Sequence, residues 1–500
     1  MKSAVNTQQK IGQSPAGAAD FMDPDDLRTE FAMAMSAMYQ QEVPLYGNLL
    51  DIVRHVNQDV LRRKEKDLAV DTVAIRASTE RLTLERHGAI RLGTPYELRT
   101  VKRIFAVLGM HPVGYYDLSV AGLPMHATCF RPTSVQSLHR NPFRVFTTLL
   151  RPDLLADEDA RQLSGKLLQR RNIFTAELLE VLDTAESQNS RLTEKQAAIF
   201  ISEALRTFSW QAVAAATFDQ FNILKAEHPI LADIASFQSA HINHLTPRTL
   251  DISAVQTAMR EAGMAVKARI EGPPIRKCPI LLRQTSFLAL EEYVHFRRSD
   301  SSGLVFASDT EPGLIKAGHT ARFGEVEERG AAVTDRGQVL YERLLRETME
   351  MTANAGPEEA DGLAKDVFKQ YPDTWTELRK ERLIHCEYVC VRKVSPNEAG
   401  RQLDELTLER LISQGVIEAR PITYEDFLPF SAAGIFQSNI QSRDKDGRPL
   451  QMKHPKPDLP GLVEALGEEP VNIQNWYSVI QNRSLKAVAE KLGMTAAWPC

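Results

Sequence analysis

Leu84-Glu-Arg-His87-Gly-Ala-Ile-Arg91 and His241-Ile-Asn-His244-Leu-Thr-Pro-Arg248 are two stretches of one 500-residue chain that read alike. Each sets a histidine four residues before an arginine on an extended segment. Each then passes through an amphipathic run to Gly-Met, at Gly109-Met110 and Gly263-Met264, and on into short strand-like runs. A strand–helix–strands unit that recurs with a histidine in the same place predicts two halves folding around one metal.

Side chains of a strand alternate faces, so His87 and Arg91 point the same way, as do His244 and Arg248. Four residues span about 13 Å at ~3.3 Å each. A long arginine leans across that distance, so one wall can hold a metal ligand and a carboxylate anchor. His241 and His244 are three apart and face opposite sides; the repeat selects His244 as the inward one. Pro247 donates no hydrogen bond, which predicts an edge strand or a bulge there.

The third ligand is expected from Phe323-Gly-Glu325-Val-Glu-Glu-Arg329. Glu325 and Glu327 share a strand face, His319 shares it too if the strand runs unbroken, and Glu328 faces away. Period alone leaves those three open. Two imidazoles and one carboxylate leave a divalent ion with free positions on one side, an arrangement suited to non-haem Fe(II) chemistry.

Around these stretches the expected fold class is α+β: two βαβββ-type modules forming an incomplete barrel around one metal, with added helical layers. Residues 1–20 read as a flexible N-terminus, 21–80 as helical, 81–150 as the first metal-binding module, and 151–239 as a helical insertion. Residues 240–330 read as the second module and 331–500 as a mixed C-terminal region with an apolar loop at 425–439. A formal charge of −5 and a pI near 6.2 argue against a nucleic-acid partner. No run approaches the ~18 apolar residues of a membrane span, and the N-terminus lacks a secretory signal. Five scattered cysteines fit reduced thiols in a cytoplasmic protein. His385-Cys386-Glu-Tyr-Val-Cys390 lacks the other half of a zinc site and reads as a strand carrying two thiols.

At these residues the chain resembles the 2-oxoadipate dioxygenase/decarboxylase family (hydroxyglutarate synthases) of the vicinal oxygen chelate superfamily. The resemblance lies in Glu85-Arg-His-Gly-Ala-Ile-Arg-Leu-Gly93, Gly114-Tyr-Tyr-Asp-Leu-Ser119, His241-Ile-Asn-His-Leu-Thr-Pro-Arg248, Leu282-Arg-Gln-Thr-Ser286, Ala321-Arg-Phe-Gly-Glu325 and Ser431-Ala-Ala-Gly-Ile-Phe436. It implies an Fe(2+) enzyme of lysine catabolism that turns 2-oxoadipate and O2 into 2-hydroxyglutarate and CO2. It implies His87, His244 and Glu325 as metal ligands, with the two histidines also bordering the substrate. Glu325-Val-Glu-Glu-Arg329 is also similar to the strand that supplies the metal glutamate in hydroxyphenylpyruvate dioxygenases, which moves Glu325 ahead of Glu327 and His319. Arg91 matches a substrate-binding arginine, and Phe430-Ser431 a loop that contacts the substrate. Phe430 stands where an aliphatic residue is expected, and the excursion Ser299 to Gly318 is long; either reshapes the pocket. The competing readings are a Zn(II) or Ni(II) isomerase or lyase on the same scaffold, and a non-catalytic dicarboxylate-binding protein.

Overall fold

The computed structural model describes residues 20–67, 81–297, 314–320, 322–352, 355–392, 408–428 and 456–494. Asp23 caps the first helix, Pro24–Glu42, by accepting from the Asp25 N–H at 2.8 Å, and Pro24 fills the first helical position, where a missing N–H is harmless. Leu27, Phe31, Met35 and Tyr39 recur along this helix at four-residue intervals and are buried as one stripe. With the Pro44–Asp67 helix it forms an N-terminal layer over the sheet that carries the histidines.

That sheet begins with β1 (Arg86–Leu92), crosses through the Pro95–Val107 helix, and continues with β2 (His111–Asp117), β3 (Met125–Arg131) and β4 (Arg144–Leu150). β4 lies parallel to β1 and antiparallel to β3, giving the order β2-β3-β4-β1. Three helices follow, Glu158–Arg170, Ala176–Ser187 and Glu194–Phe208, and this segment also carries β5 (Val213–Thr217). β6 (His244–Pro247) then docks antiparallel on the free side of β1, with Ala89 opposite His244 and His87 opposite Thr246.

The second half follows a comparable course. After the Ile252–Glu261 helix come β7 (Leu282–Ser286), β8 (Glu291–Arg297), β9 (Ile315–Thr320) and β10 (Glu325–Arg329). β10 pairs antiparallel with β7, and it joins β6 through a parallel bridge between Arg248 and Glu327. Beyond β7, Val266 and Glu271 bridge to Phe287 and Gln284. β5, β8 and β9 form a separate three-stranded sheet. β11 (Cys386–Cys390) and β12 (Ile417–Pro421) make a hairpin-like pair, so His385 to Cys390 is the thiol-bearing strand expected. Among the described residues the sheets stay open, and no helix is long and apolar enough to cross a membrane.

One local expectation holds and one changes. β6 is the outer strand of its five-stranded sheet, as Pro247 requires, and Pro247 ends that strand opposite Arg86; just beyond it the Thr249 N–H bonds Glu327 O at 2.7 Å. The extended run expected from Thr320 to Arg329 is broken, because Ile315–Thr320 belongs to one sheet and Glu325–Arg329 to another.

Close approach explains two glycines. A Cβ on Gly88 would sit 2.7 Å from Ile242 Cδ1 and 3.3 Å from His244 O, so a side chain there would make Ile242 and the β6 backbone shift. A Cβ on Gly324 would meet Phe287 Cε1 at 2.4 Å, just before Glu325. The N-terminal layer fixes the same two approaches. The buried Tyr39 hydroxyl donates to Asn243 O (3.0 Å) and Phe323 O (2.8 Å), the carbonyls just ahead of His244 and Gly324-Glu325. Burial pushes this phenol well above its ordinary pKa, so it remains a donor. Tyr39→Phe leaves both carbonyls short of that donor; we expect a loss of about 1–3 kcal/mol in denaturant unfolding and weaker metal retention in the folded variant.

Candidate metal centre

The β1–β6 seam brings the two repeated histidines face to edge. Their ring centroids are 5.6 Å apart with planes at 90°. Glu325, the first residue of β10, arrives between them: its Oε1 lies 3.1 Å from His87 Nε2 and 3.9 Å from His244 Nε2. One ligand atom from each of His87, His244 and Glu325 falls within 4.8 Å of the others, and all three side chains are buried. Thr246 Oγ1 donates to Glu325 Oε1 at 3.1 Å, while Glu325 Oε2 has no hydrogen-bond partner. A buried carboxylate with one oxygen toward two imidazoles and the other without a partner fits a divalent cation.

Electrostatics prepare the ligands. Burial lowers His244 to about 4, opposed by Glu325, so this imidazole is neutral at physiological pH and offers a lone pair. Burial opposes ionisation of Glu325, but His244, His87 and Lys267 outweigh it and keep the carboxylate charged. Burial also works against a charged His87, and there Glu327 and Glu325 prevail and raise its basicity. His244 is further fixed by stacking on Phe323 at 4.8 Å, and His87 by the edge of Phe427 at 4.8 Å.

Glu327 was a competitor for the third ligand position, and the structure places it behind His87 instead. Its Oε2 lies 3.0 Å from His87 Nδ1, on the far side of the ring from Glu325. Arg329 grips both Glu327 oxygens, at 2.7 and 2.8 Å, and Arg144 lies 3.5 Å away. Although burial opposes it, Arg329 and His87 hold Glu327 well below the usual carboxylate range. A carboxylate 3.0 Å from Nδ1 favours a proton on that nitrogen and leaves Nε2 for the centre. Arg144 continues the lattice to Glu85 (2.8 Å) and Glu425, and Glu85 also takes Arg248 at 3.1 Å. Arg248 is thus bound up in structure, and the repeat's equivalence of Arg91 and Arg248 stops at sequence.

Arg91 lies on the same strand face as His87, and it is buried against Asp233, Nη1 to Oδ2 2.5 Å. It is close enough to act on His244 electrostatically. His319, the other competitor for the third position, turns to Asp233 at 2.9 Å, because β9 does not continue into β10. His241 faces the same carboxylate at 3.3 Å, away from the metal ligands. Phe430 and Ser431 lie outside the described residues. Asp233 escaped sequence reasoning; its signal was a solitary acid in the apolar helix Pro229-Ile-Leu-Ala-Asp-Ile-Ala-Ser236. On this geometry, His87→Ala and His244→Ala abolish stoichiometric metal binding. Glu327→Gln keeps all three ligands and weakens metal affinity roughly 10–100-fold, as read by competition with a chromophoric chelator.

The sequence profile of the 2-oxoadipate dioxygenase/decarboxylase family matches residues 31–439. The chain is 42% identical over 485 residues to the 2-oxoadipate dioxygenase/decarboxylase of Pseudomonas putida, covering 95% of this chain and 99% of that one. It is 46% identical over 435 residues to the Escherichia coli protein of the same name, covering 84% and 90%. The crystal structure of Pseudomonas putida hydroxyglutarate synthase in complex with 2-oxoadipate superposes with a TM-score of 0.81 at 40% identity, over 95% of this chain and all (100%) of that one. The chain therefore belongs to the 2-oxoadipate dioxygenase/decarboxylase family.

Proposed function

We propose that the protein is an Fe(II)-dependent oxidoreductase that converts 2-oxoadipate and O2 into 2-hydroxyglutarate and CO2. The observation that carries this reading is the buried His87–His244–Glu325 cluster with a buried arginine on the same strand face, in a chain whose relative binds 2-oxoadipate. Two imidazoles and one carboxylate match the donor set that leaves a ferrous ion open to a 2-oxo acid and O2. The β1–β4 parallel pairing in residues 81–150 and the parallel bridge from the end of β6 to β10 in residues 240–330 support reading these segments as two vicinal-oxygen-chelate modules that share this centre.

Bound there, iron supplies the chelating and oxygen-activating chemistry. The protein's own part is to position, to shield and to hold charges. His87 and His244 present ring nitrogens from the two halves, and Glu325 contributes the negative charge between them. Glu327 keeps the proton on Nδ1 of His87, and Arg329 keeps Glu327 from moving. Arg91 pairs with the distal carboxylate of the substrate, whose oxo-acid end faces the ligands; a guanidinium gives charge-assisted contact there. That pairing selects chain length and aims the carbon beside the oxo group at the centre. Phe427 packs on His87 and on Phe146 (5.0 Å), and Phe146 on Tyr116 (5.1 Å), an aromatic wall that keeps water from the site. Phe430 and Ser431 are assigned to substrate contact on the resemblance of their loop.

Oxygen uptake by the iron-loaded protein against a panel of 2-oxo acids tests the reading. We expect 2-oxoadipate to be preferred, with O2 consumed and CO2 released in equal amounts. Turnover by a zinc-loaded protein without O2 would replace it with the isomerase or lyase reading. Arg91→Ala is expected to retain iron and lose about 2–5 kcal/mol of diacid recognition, a factor of roughly 30 or more in kcat/KM.

A further inference from the structure

Asp233 divides its two carboxylate oxygens. Oδ2 takes Arg91, and Oδ1 faces both His319 Nε2 (2.9 Å) and His241 Nε2 (3.3 Å). All four side chains are buried. Trp210 closes the nest, with its ring within 7° of parallel to His319 and meeting His241 edge-on at 4.8 Å. Two other charged or titratable groups face it. His228 stands at the head of the Asp233 helix beside Arg91, and Arg322 lies over Trp210 at 4.4 Å, already paired with Glu292 and Glu42.

Before substrate arrives, Arg91 and Asp233 balance each other's charge. Arg91 carries one positive charge. Asp233 carries one negative charge, since His241 and Arg91 overcome the burial that opposes its ionisation. Burial holds His241 below the ordinary imidazole value despite Asp233, and burial together with Arg91 brings His228 to about 4. A diacid changes this balance. Its proximal carboxylate is compensated at the metal, but its distal carboxylate adds a second negative charge beside Arg91. An uncompensated charge in a nest closed to water is removed by a shift of protonation rather than tolerated.

We propose that Asp233, His241 and His319 form a specificity element for the second carboxylate: the imidazole pair takes one proton from solvent as the distal carboxylate docks on Arg91. The proton returns to solvent when the diacid product leaves. Arg91 can then hold two carboxylates at once, Asp233 on one side and substrate on the other. A monoacid brings no second charge and draws no proton. This rests on the reading of Arg91 as the distal-carboxylate anchor.

The test is calorimetric titration of the iron-loaded protein, under anaerobic conditions, with 2-oxoadipate and with 2-oxohexanoate, in buffers of differing ionisation heat near neutral pH. Protonation events at the chelating end are common to both acids, so the difference between them is the readout. We expect 2-oxoadipate to take up about one proton more than 2-oxohexanoate. Asp233→Asn should erase that excess, because Arg91 then balances the substrate alone. His241→Gln combined with His319→Gln should also erase it, and should weaken 2-oxoadipate at least about tenfold without weakening 2-oxohexanoate. Equal proton counts for the two acids in the unaltered protein, or an undiminished excess in Asp233→Asn, would overturn the proposal. Arg91→Ala separates the two levels. If it leaves the affinity ratio of diacid to monoacid unchanged, the anchor reading fails; if the ratio collapses while the proton counts are equal, only the histidine nest fails.

Discussion

The antiparallel seam between β1 and β6 is the constraint on which the rest of the molecule depends. It sets Ala89 opposite His244 and His87 opposite Thr246, so the two repeated histidines lie one pair apart across a shared backbone ladder. A slip by one residue would turn every side chain of β6 to the other face. Gly88 lets β6 come close at this register, its missing side chain making room for Ile242, Leu245 and the His244 carbonyl. Tyr39 then holds the lead-ins to β6 and β10 at a fixed separation. The ligands are placed by backbone pairing, and the side chains need few alternatives.

Behind His87 the design changes from apolar packing to a lattice of buried ions. Glu327, Arg329, Arg144, Glu85, Arg248, Arg81 and Glu425 are joined by contacts of at most 3.8 Å. Taking such groups out of water is costly, and the lattice is stable only while each member keeps its partners. Its return is a histidine held in one tautomer and one orientation. Asp426, next to Glu425, is gripped by Arg131 at 2.7 and 3.0 Å and by the Tyr477 hydroxyl at 2.8 Å, so residues 424–428 are tied to the same framework.

Much of this was legible before any coordinates. The repeat picked out His87 and His244 because two unrelated core histidines need not fall at matching places; His241 lies ahead of β6 and faces Asp233 instead. The resemblance ranked Glu325 first, and the structure brings Glu325 together with His87 and His244. Other features were hidden for physical reasons. Period alone put Glu325 and Glu327 on one face and could not tell which stands in front of the imidazole and which behind. His319 looked equivalent only on the assumption of a continuous strand, and β9 and β10 belong to different sheets. Asp233 meets Arg91 across 142 residues of chain, a pairing that no local pattern encodes. The sheet orders likewise depend on such distant pairings, while the helices, with their caps and apolar stripes, are written locally.

The distance along the chain between partners has its own consequence for biosynthesis. Glu325 meets His87 across 238 residues, and Arg144 meets Glu425 across 281. As the polypeptide leaves the ribosome, His87 waits exposed until most of the sequence has emerged, and its ionic backing closes last. Contacts of such long sequence separation form slowly, after much loop entropy has been lost. A nascent chain halted before residue 425 already carries Glu327, Arg329, Arg144, Glu85 and Arg248, but Arg144 and Arg81 still lack their partner Glu425.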